Sequence, residues 1–414
     1  MSAAGEAAAA TGSHPQTSPP PSGKVVVANI IAQITFGLLA MTICLPSIQE
    51  WGQIFGADQA SVQLTFSGYV ITYGAIQLLF GPLSDRFGRK RMLMVGLVVG
   101  GLASILAALA TSLPALIVAR VLQGAGGAAS SSVGRAMIQD LFKGPERTRV
   151  MAYVGMTMGL MPPAATILGG QIHEAIGWQG NFVVMAVLAV VLLITGSFGL
   201  PMDRARPPSE RHWLREMASG YALLARERRF PMYVIILASS VATFYTFLSG
   251  APLVLKSYGV GPAGVGFYIM VVPLSYVVGN FGTTRLISRV GENWLMNVGQ
   301  AVTITGIALM TALGFAGLHS PLAFALPLML LGIGHGFFVP VCLARTVGLV
   351  PAVAGTAAAV TGLVQQWTGA VGGYAVGLVT HENSVNLGLL MLGFAAIAIV
   401  AQALVMARLK RGAA

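Results

Sequence analysis

From residue 25 to residue 407 long apolar runs follow one another, separated by short polar breaks. A helix needs about 20 mostly apolar residues to cross a bilayer core. Runs of that order, broken by charges, prolines or glycines, fall at 25–48, 61–81, 91–111, 114–136, 149–172 and 179–200. A second set falls at 231–254, 263–287, 293–315, 321–344, 352–378 and 385–407. The pattern predicts an all-α membrane protein with twelve transmembrane helices. One polar stretch stands out by its length, 201–230, where a PPSE run is mixed with arginines and six helices are divided from six. The expected plan is therefore a tail at 1–23, a six-helix bundle at 24–200, a linker at 201–230, a second six-helix bundle at 231–408 and a short tail at 409–414. The first tail is rich in Ala, Ser, Gly and Pro and lacks the charged-then-apolar order of a cleavable leader, which predicts disorder.

Composition agrees with the pattern. The chain is 55% hydrophobic and 9% charged, whereas soluble domains carry about a quarter charged residues. The net charge of +11 would suggest nucleic acid in a soluble protein. Here all but two of the 24 lysines and arginines, Lys256 and Arg120, fall in segments on one side of a twelve-helix plan. Basic residues favour cytoplasmic loops, so both termini are expected in the cytoplasm, with no nucleic-acid partner. Cys44 and Cys342 lie in separate apolar runs and have no metal-ligand spacing. No cofactor is expected. No cluster of His, Asp or Glu suits acid–base or metal chemistry, and no GxxxxGK(S/T) loop exists to hold a nucleotide. An enzyme and a nucleotide-driven pump are therefore disfavoured.

The two halves echo each other. SDRFGRKRMLM at 84–94 returns as ISRVGENWLM at 287–296, about half a chain length later. Two related bundles flanking a central site suit alternating access, in which one bundle rocks against the other.

Three segments carry candidate mechanism. In GPLSDRFGRKR, which includes Arg86 and Arg89, Gly81 allows close helix approach, Gly88 a tight turn, and Asp85 can pair with a nearby arginine and face a helix N-terminus of the other half. The bland alternative is a basic loop that only sets topology. Within the fourth helix, Arg120 is about 9 Å beyond Pro114 at 1.5 Å per residue. It either reaches the polar boundary or faces a cavity, where it serves proton coupling or anion contact. The fifth helix carries Gly155, Gly159, Pro162, Pro163 and Gly169, a pattern of close packing and bending.

The first segment resembles the loop signature GxxxD(R/K)xGR(R/K) of the major facilitator superfamily, and ARVLQGAGGAA at 119–129 resembles that family's RxxQGxgaA. The fifth-helix pattern is similar to the antiporter motif GxxxGPxxGG, with displaced prolines and a longer spacer. Together with Asp140-Leu-Phe, Gly177-Trp178 and AGTAAAVTGLVQQ at 354–366, these place the nearest resemblance in the Bcr/CflA drug-resistance subfamily. The resemblance implies the major facilitator fold and proton-driven export of small amphipathic drugs across a bacterial inner membrane. It also implies that Asp85 latches the state closed to the cytoplasm. The alternative on the same fold is an importer or metabolite facilitator without proton coupling.

One departure bears on coupling. Where the subfamily commonly carries an acid in a DxYLP-like segment, this chain has Thr42, and no acidic residue falls in the middle of a predicted span. Asp85, Glu174 and His335 are the remaining candidate proton carriers; a lone intramembrane histidine such as His335 is more often a packing or substrate contact. Polar and aromatic residues expected to border the cavity are Asn29, Gln33, Tyr69, Tyr73, Gln123, Phe244, Tyr245, Tyr276, Asn280, Gln365, Gln366 and Trp367, each of which has helix packing as its alternative. An aromatic cavity without a buried acid favours neutral or anionic amphipaths of the phenicol kind over cationic dyes. The expected partners are such a small molecule, protons and the lipid bilayer, and the expected state is a monomer.

Overall fold

The computed structural model of the chain describes residues 23–201 and 222–411. The expected first tail, most of the linker and the last three residues lie outside that range. Every described regular element is a helix. The first part comprises α1 (Gly23–Thr42), α2 (Ile48–Phe55), α3 (Gln59–Phe87), α4 (Arg89–Ala108), α5 (Leu113–Leu141), α6 (Gly144–Ile176) and α7 (Gln179–Gly199). The second part comprises α8 (Phe230–Ser257), α9 (Pro262–Ile269), α10 (Val271–Val290), α11 (Glu292–Phe315), α12 (Pro321–Ala325), α13 (Leu328–Gly348), α14 (Ala354–Val376) and α15 (Val385–Arg411).

Three expected spans are interrupted. The first breaks after Thr42, where Pro46 sits in a 3-10 turn at Leu45–Ser47, and resumes as α2 until Gly56 closes it with a left-handed φ of 60°. Proline has no N–H to continue the ladder, and glycine adopts positive φ without a Cβ clash. The others are divided at Met270 and between Ala325 and Leu328. Among the described residues eleven segments are long and apolar enough to cross a membrane. The remaining long helix, α14, falls below that measure because Thr361, Gln365, Gln366 and its glycines dilute its hydropathy.

Packing follows the echo seen in the sequence. In the first part α5 lies against α1, α3 and α4, and α7 against α4; in the second, α13 lies against α10 and α11, and α8 against α14 and α15. Short glycine runs set these distances. A Cβ on Gly126 would stand 2.6 Å from the Cα of Gly100 on α4, and one on Gly127 would stand 3.1 Å from Gly37 on α1. The second part repeats the device on α13, where a Cβ on Gly336 would stand 2.7 Å from the Cα of Gly279 on α10. Helix pairs gain dispersion and lose little side-chain entropy by such contact, which matters where lipid removes the hydrophobic drive. Arg86, Arg89, Arg289 and Arg345 mark one end of the molecule, here termed the basic end.

Candidate functional site

The two parts meet along two helix pairs, α3 with α14 and α6 with α9–α10. Near the end opposite the basic one the contact is tight. Gly373 on α14 would bring a Cβ within 2.8 Å of Phe66, Ser67 donates to the Ala370 carbonyl at 2.9 Å, and Trp367 Nε1 donates to the Ile71 carbonyl at 3.3 Å. The last close approach is Gly74, whose Cβ would stand 2.7 Å from that of Gln366. Two turns further, on the same face of α3, Gly81 would meet nothing within 4 Å, nor would Gly362 or Gly355 on α14. The second pair behaves alike: Gly266 on α9 would press to 2.6 Å on Ile167, Gly159 would reach Val277 at an ordinary 3.6 Å, and Gly155 would meet nothing. Both pairs thus diverge towards the basic end.

At the apex of this opening lies an aromatic and amide group. Tyr69 and Tyr73 stack at 6.0 Å, Tyr245 donates to Gln366 Oε1 at 2.9 Å, and Phe66 and Phe244 stand 5.6 and 6.0 Å from Tyr245. These come from α3, α8 and α14, so five of the expected cavity residues, Tyr69, Tyr73, Phe244, Tyr245 and Gln366, are brought together. Gln365 is half-buried on the same helix, and Tyr276 and Asn280 are half-buried on α10. Trp367 is about half exposed and sets its ring edge near Gly74.

Three expected cavity residues are placed elsewhere. Asn29 and Gln33 bind each other at 3.2 Å, and Gln33 donates to the Leu192 carbonyl at 2.9 Å, inside the α1–α7 packing. Gln123 is fully buried and donates to Ser104 at 2.8 Å on α4. Uncharged polar side chains inside a bundle satisfy one another, and their helical register alone does not distinguish this from lining a cavity.

Arg120 is fully buried, so it does not reach the polar boundary. It donates to the carbonyls of Ala40 at 2.6 Å, Thr65 at 3.3 Å and Met41 at 3.4 Å and to Gln123 Oε1, and its guanidinium lies 4.4 Å over the Tyr69 ring. The break in α1 supplies two of these carbonyls, freed from helical bonding just before Pro46. One charge thereby joins α1, α3 and α5 directly beneath the apex group.

His335 sits in the second part, away from the opening. It faces a water-sized cavity of about 10 Å³ lined by Ser240, Thr243, Gln300 and Thr303 and meets the edge of Phe338 at 5.3 Å. Pro162 and Pro163 lie within an unbroken α6, and Thr166 returns a hydroxyl to the Pro162 carbonyl at 2.8 Å. Of these glycines it is Gly169, not Gly155 or Gly159, that makes a close contact, against Ile43 on the α1 break.

At the basic end Gly88 makes the turn with φ 99°. Arg89 bridges Asp85 at 2.5 Å and Asp140 at 3.0 Å and donates to Ser84 at 2.6 Å, while Arg86 lies over Phe87. Gly81 offers its carbonyl to Ser84 and Arg89 rather than a helix contact. The echo holds a reversed copy: Gly291 turns with φ 78°, and Glu292 binds Arg345 at 2.5 Å. Arg89–Asp140 joins the start of α4 to the end of α5; Glu292–Arg345 joins the start of α11 to the end of α13 with opposite signs.

Sequence reasoning missed Gln63, Ser249 and Gln49 as ties between the two parts, and named Glu174 only as a candidate proton carrier. Gln63 donates to the Ser249 carbonyl at 3.4 Å and accepts its hydroxyl. Gln49 donates to the Pro252 carbonyl at 2.5 Å, Lys256 donates to the Gln49 carbonyl at 2.7 Å, and Glu174 accepts the Ala263 N–H at 3.0 Å. One signal was available: Gly369, Gly373 and Gly377 repeat at the spacing of a single helix face.

Comparison with known proteins agrees with this architecture. Residues 27–373 match the sequence profile described as Major Facilitator Superfamily. The chain is 28% identical to the Chloramphenicol resistance protein of Pseudomonas aeruginosa, over 75% of this chain and 74% of that one. It is 25% identical to Multidrug resistance protein D of Escherichia coli (strain K12), over 87% and 91%, and 26% identical to the Bicyclomycin resistance protein homolog of Haemophilus influenzae, over 83% and 88%. The crystal structure of the nucleoside transporter NupG superposes with a TM-score of 0.71 at 14% identity, covering 92% of this chain and 99% of that one. The D-xylose-proton symporter superposes at 0.68 and 15%, covering 91% and 96%. Profile, relatives and fold coincide, and the chain belongs to the Major Facilitator Superfamily as a multi-pass membrane transporter resembling its drug-resistance members.

Proposed function

We propose that this transporter exports small, mainly uncharged amphipathic drugs across the bacterial inner membrane, exchanging them for protons by alternating access. The observation that carries this reading is the divergence of α3 from α14 and of α6 from α10 towards the basic end, with Tyr73, Tyr245 and Gln366 at its apex. The two parts, 24–200 and 231–408, act as the rocking bundles of a monomer, with the basic end and both termini in the cytoplasm. The described state is then open to the cytoplasm and closed on the other side. The apex supports neutral or anionic cargo, because its rings provide apolar area and its neighbouring charge is the guanidinium of Arg120. The names of relatives that confer chloramphenicol, bicyclomycin and multidrug resistance support export over import.

Asp85 and Arg89 serve as the latch of the state closed to the cytoplasm; here Arg89 holds both Asp85 and Asp140 of its own bundle. The test is transport by purified protein in vesicles, with chloramphenicol and a cationic dye compared with and without an imposed pH gradient. Chloramphenicol accumulation that needs the gradient supports the reading. Movement only down the drug gradient would leave an uncoupled facilitator, the outcome suggested by Thr42 in place of an acid.

A further inference from the structure

At the closed end, opposite the basic one, a buried histidine is held by two polar neighbours that the transport cycle described above does not use. His173, near the end of α6, is 8% exposed. Its Nδ1 lies 2.8 Å from Ser47 Oγ on the α1–α2 turn, and its Nε2 lies 3.0 Å from Glu50 Oε2 on α2. Asn181 of α7 donates to Ser47 Oγ at 3.2 Å, and its own buried Oδ1 has no partner.

The hydrogens of this chain settle in two ways. With a neutral ring, Nε2–H donates to Glu50, and Nδ1 accepts from the Ser47 hydroxyl. With a protonated ring, Nδ1–H donates to Ser47, whose own proton then needs an acceptor. A turned Asn181 amide supplies one through Oδ1. Both states keep the ring bonded at each nitrogen, but in the second the bond to Glu50 joins opposite charges and is the stronger.

The pair sits between the two grips that close this end. Gln49, beside Glu50, binds the Pro252 and Val260 carbonyls and accepts from Lys256. Glu174, beside His173, accepts the Ala263 N–H, and Gln171 donates to the Ala263 carbonyl at 3.4 Å. Linking Glu50 to His173 therefore fastens two segments of the first bundle that both hold α8 and α9 of the second.

The charges around the ring are few. Besides Glu50 they are Glu174 on its own helix and Lys256 on α8. The helices α7 and α9 bring no charged residue, α9 bringing only the titratable Tyr268, and the single lysine of α1, Lys24, is at the basic end. Arg120 of α5 is engaged by the α1 carbonyls, and Tyr276, Arg285 and Arg289 of α10 lie towards the basic end.

We propose that Glu50 and His173 form a proton-binding site which, when occupied, holds the end opposite the basic one closed. The site rests on the alternating-access part of the reading above and not on which drug is carried. Acid should favour the closed end, because the protonated ring tightens the tie.

The test places spin labels at Gln53→Cys and Ser257→Cys in a Cys44→Ala, Cys342→Ala background and reads the distance between them in lipid nanodiscs. The ratio of long to short distances should fall at least about threefold from about pH 8 to about pH 5.5. Glu50→Gln, at a carboxylate 40% exposed, and His173→Gln should each abolish that fall. An equal fall in both variants, or no fall in the unsubstituted pair, overturns the proposal. Failure of vesicles to move chloramphenicol would instead overturn the substrate reading, and the distance ratio would still be decided by its own pH response.

Discussion

Gln63 and Ser249 form a buried tie between the two parts, so Gln63→Met measures what holds the opposite end closed. The substitution keeps side-chain length and removes two hydrogen bonds, one to the Ser249 carbonyl and one from its hydroxyl. The Ser249 hydroxyl retains the Gly373 carbonyl at 3.3 Å within its own part, so no buried donor is stranded. At about 0.5–1.5 kcal/mol net for each bond, the closed state should lose about 1–3 kcal/mol relative to the open one. That range moves the equilibrium by about 5- to 150-fold. Ser67, 3% exposed in the same interface, reports the opening when replaced by cysteine in a background lacking Cys44 and Cys342. Its alkylation by a maleimide should accelerate by that factor in the Gln63→Met protein. An unchanged rate in protein with an unaltered melting temperature would refute the reasoning, since the tie would then contribute nothing to closure.

Other outcomes follow from the same contacts. Arg120→Ala strands the Ala40 and Met41 carbonyls at about 1–3 kcal/mol each, seen as a large fall in melting temperature and loss of transport, whereas Arg120→Lys should lose less of both. Asp85→Asn should reduce transport at equal membrane abundance; full transport would remove the latch. The partly exposed Glu292–Arg345 bridge should contribute about 0.3–1 kcal/mol, less in high salt. Glu292→Arg should lower the melting temperature, and adding Arg345→Glu should restore it. Asp58 accepts the Ser61 N–H at 2.9 Å and its hydroxyl at 2.9 Å as the cap of α3, bonds that hold its carboxyl below the usual carboxylate value. A depressed folded value means that this stabilisation is complete above the unfolded pKa and lost as pH falls through the folded one. The melting-temperature gap between the protein and Asp58→Ala should therefore close on acidification below about pH 4.

Much of the architecture was legible in the sequence because lipid imposes it. A crossing helix must satisfy its own backbone and present apolar side chains, so length and hydropathy mark the helices, with boundaries displaced by a turn where Asp58, Gly88 or Gly177 ends them. The exception, α14, packs Gln366 against Tyr245 and Gly74 rather than lipid. The break in α1 was marked by Pro46, yet the use made of it was not. Arg120 is held mainly by backbone carbonyls, and a carbonyl carries no residue identity to read. For the candidate cavity, periodicity put Gln33, Gln123 and Gln366 on helix faces without saying which neighbour each face meets. Packing gave the first two to the interior of one bundle and the third to the groove between bundles.

By itself, then, the sequence determined that this chain lives in a bilayer, how many long helices it has, on which end the arginines collect and where its halves repeat. Those properties are local or additive along the chain. Only the tertiary structure decided which end is shut, that Gln63 meets Ser249, and that the Arg89–Asp140 bridge of one half returns as Glu292–Arg345 with its signs exchanged. Such pairings join residues far apart in the chain, and their strength depends on distances that no spacing records.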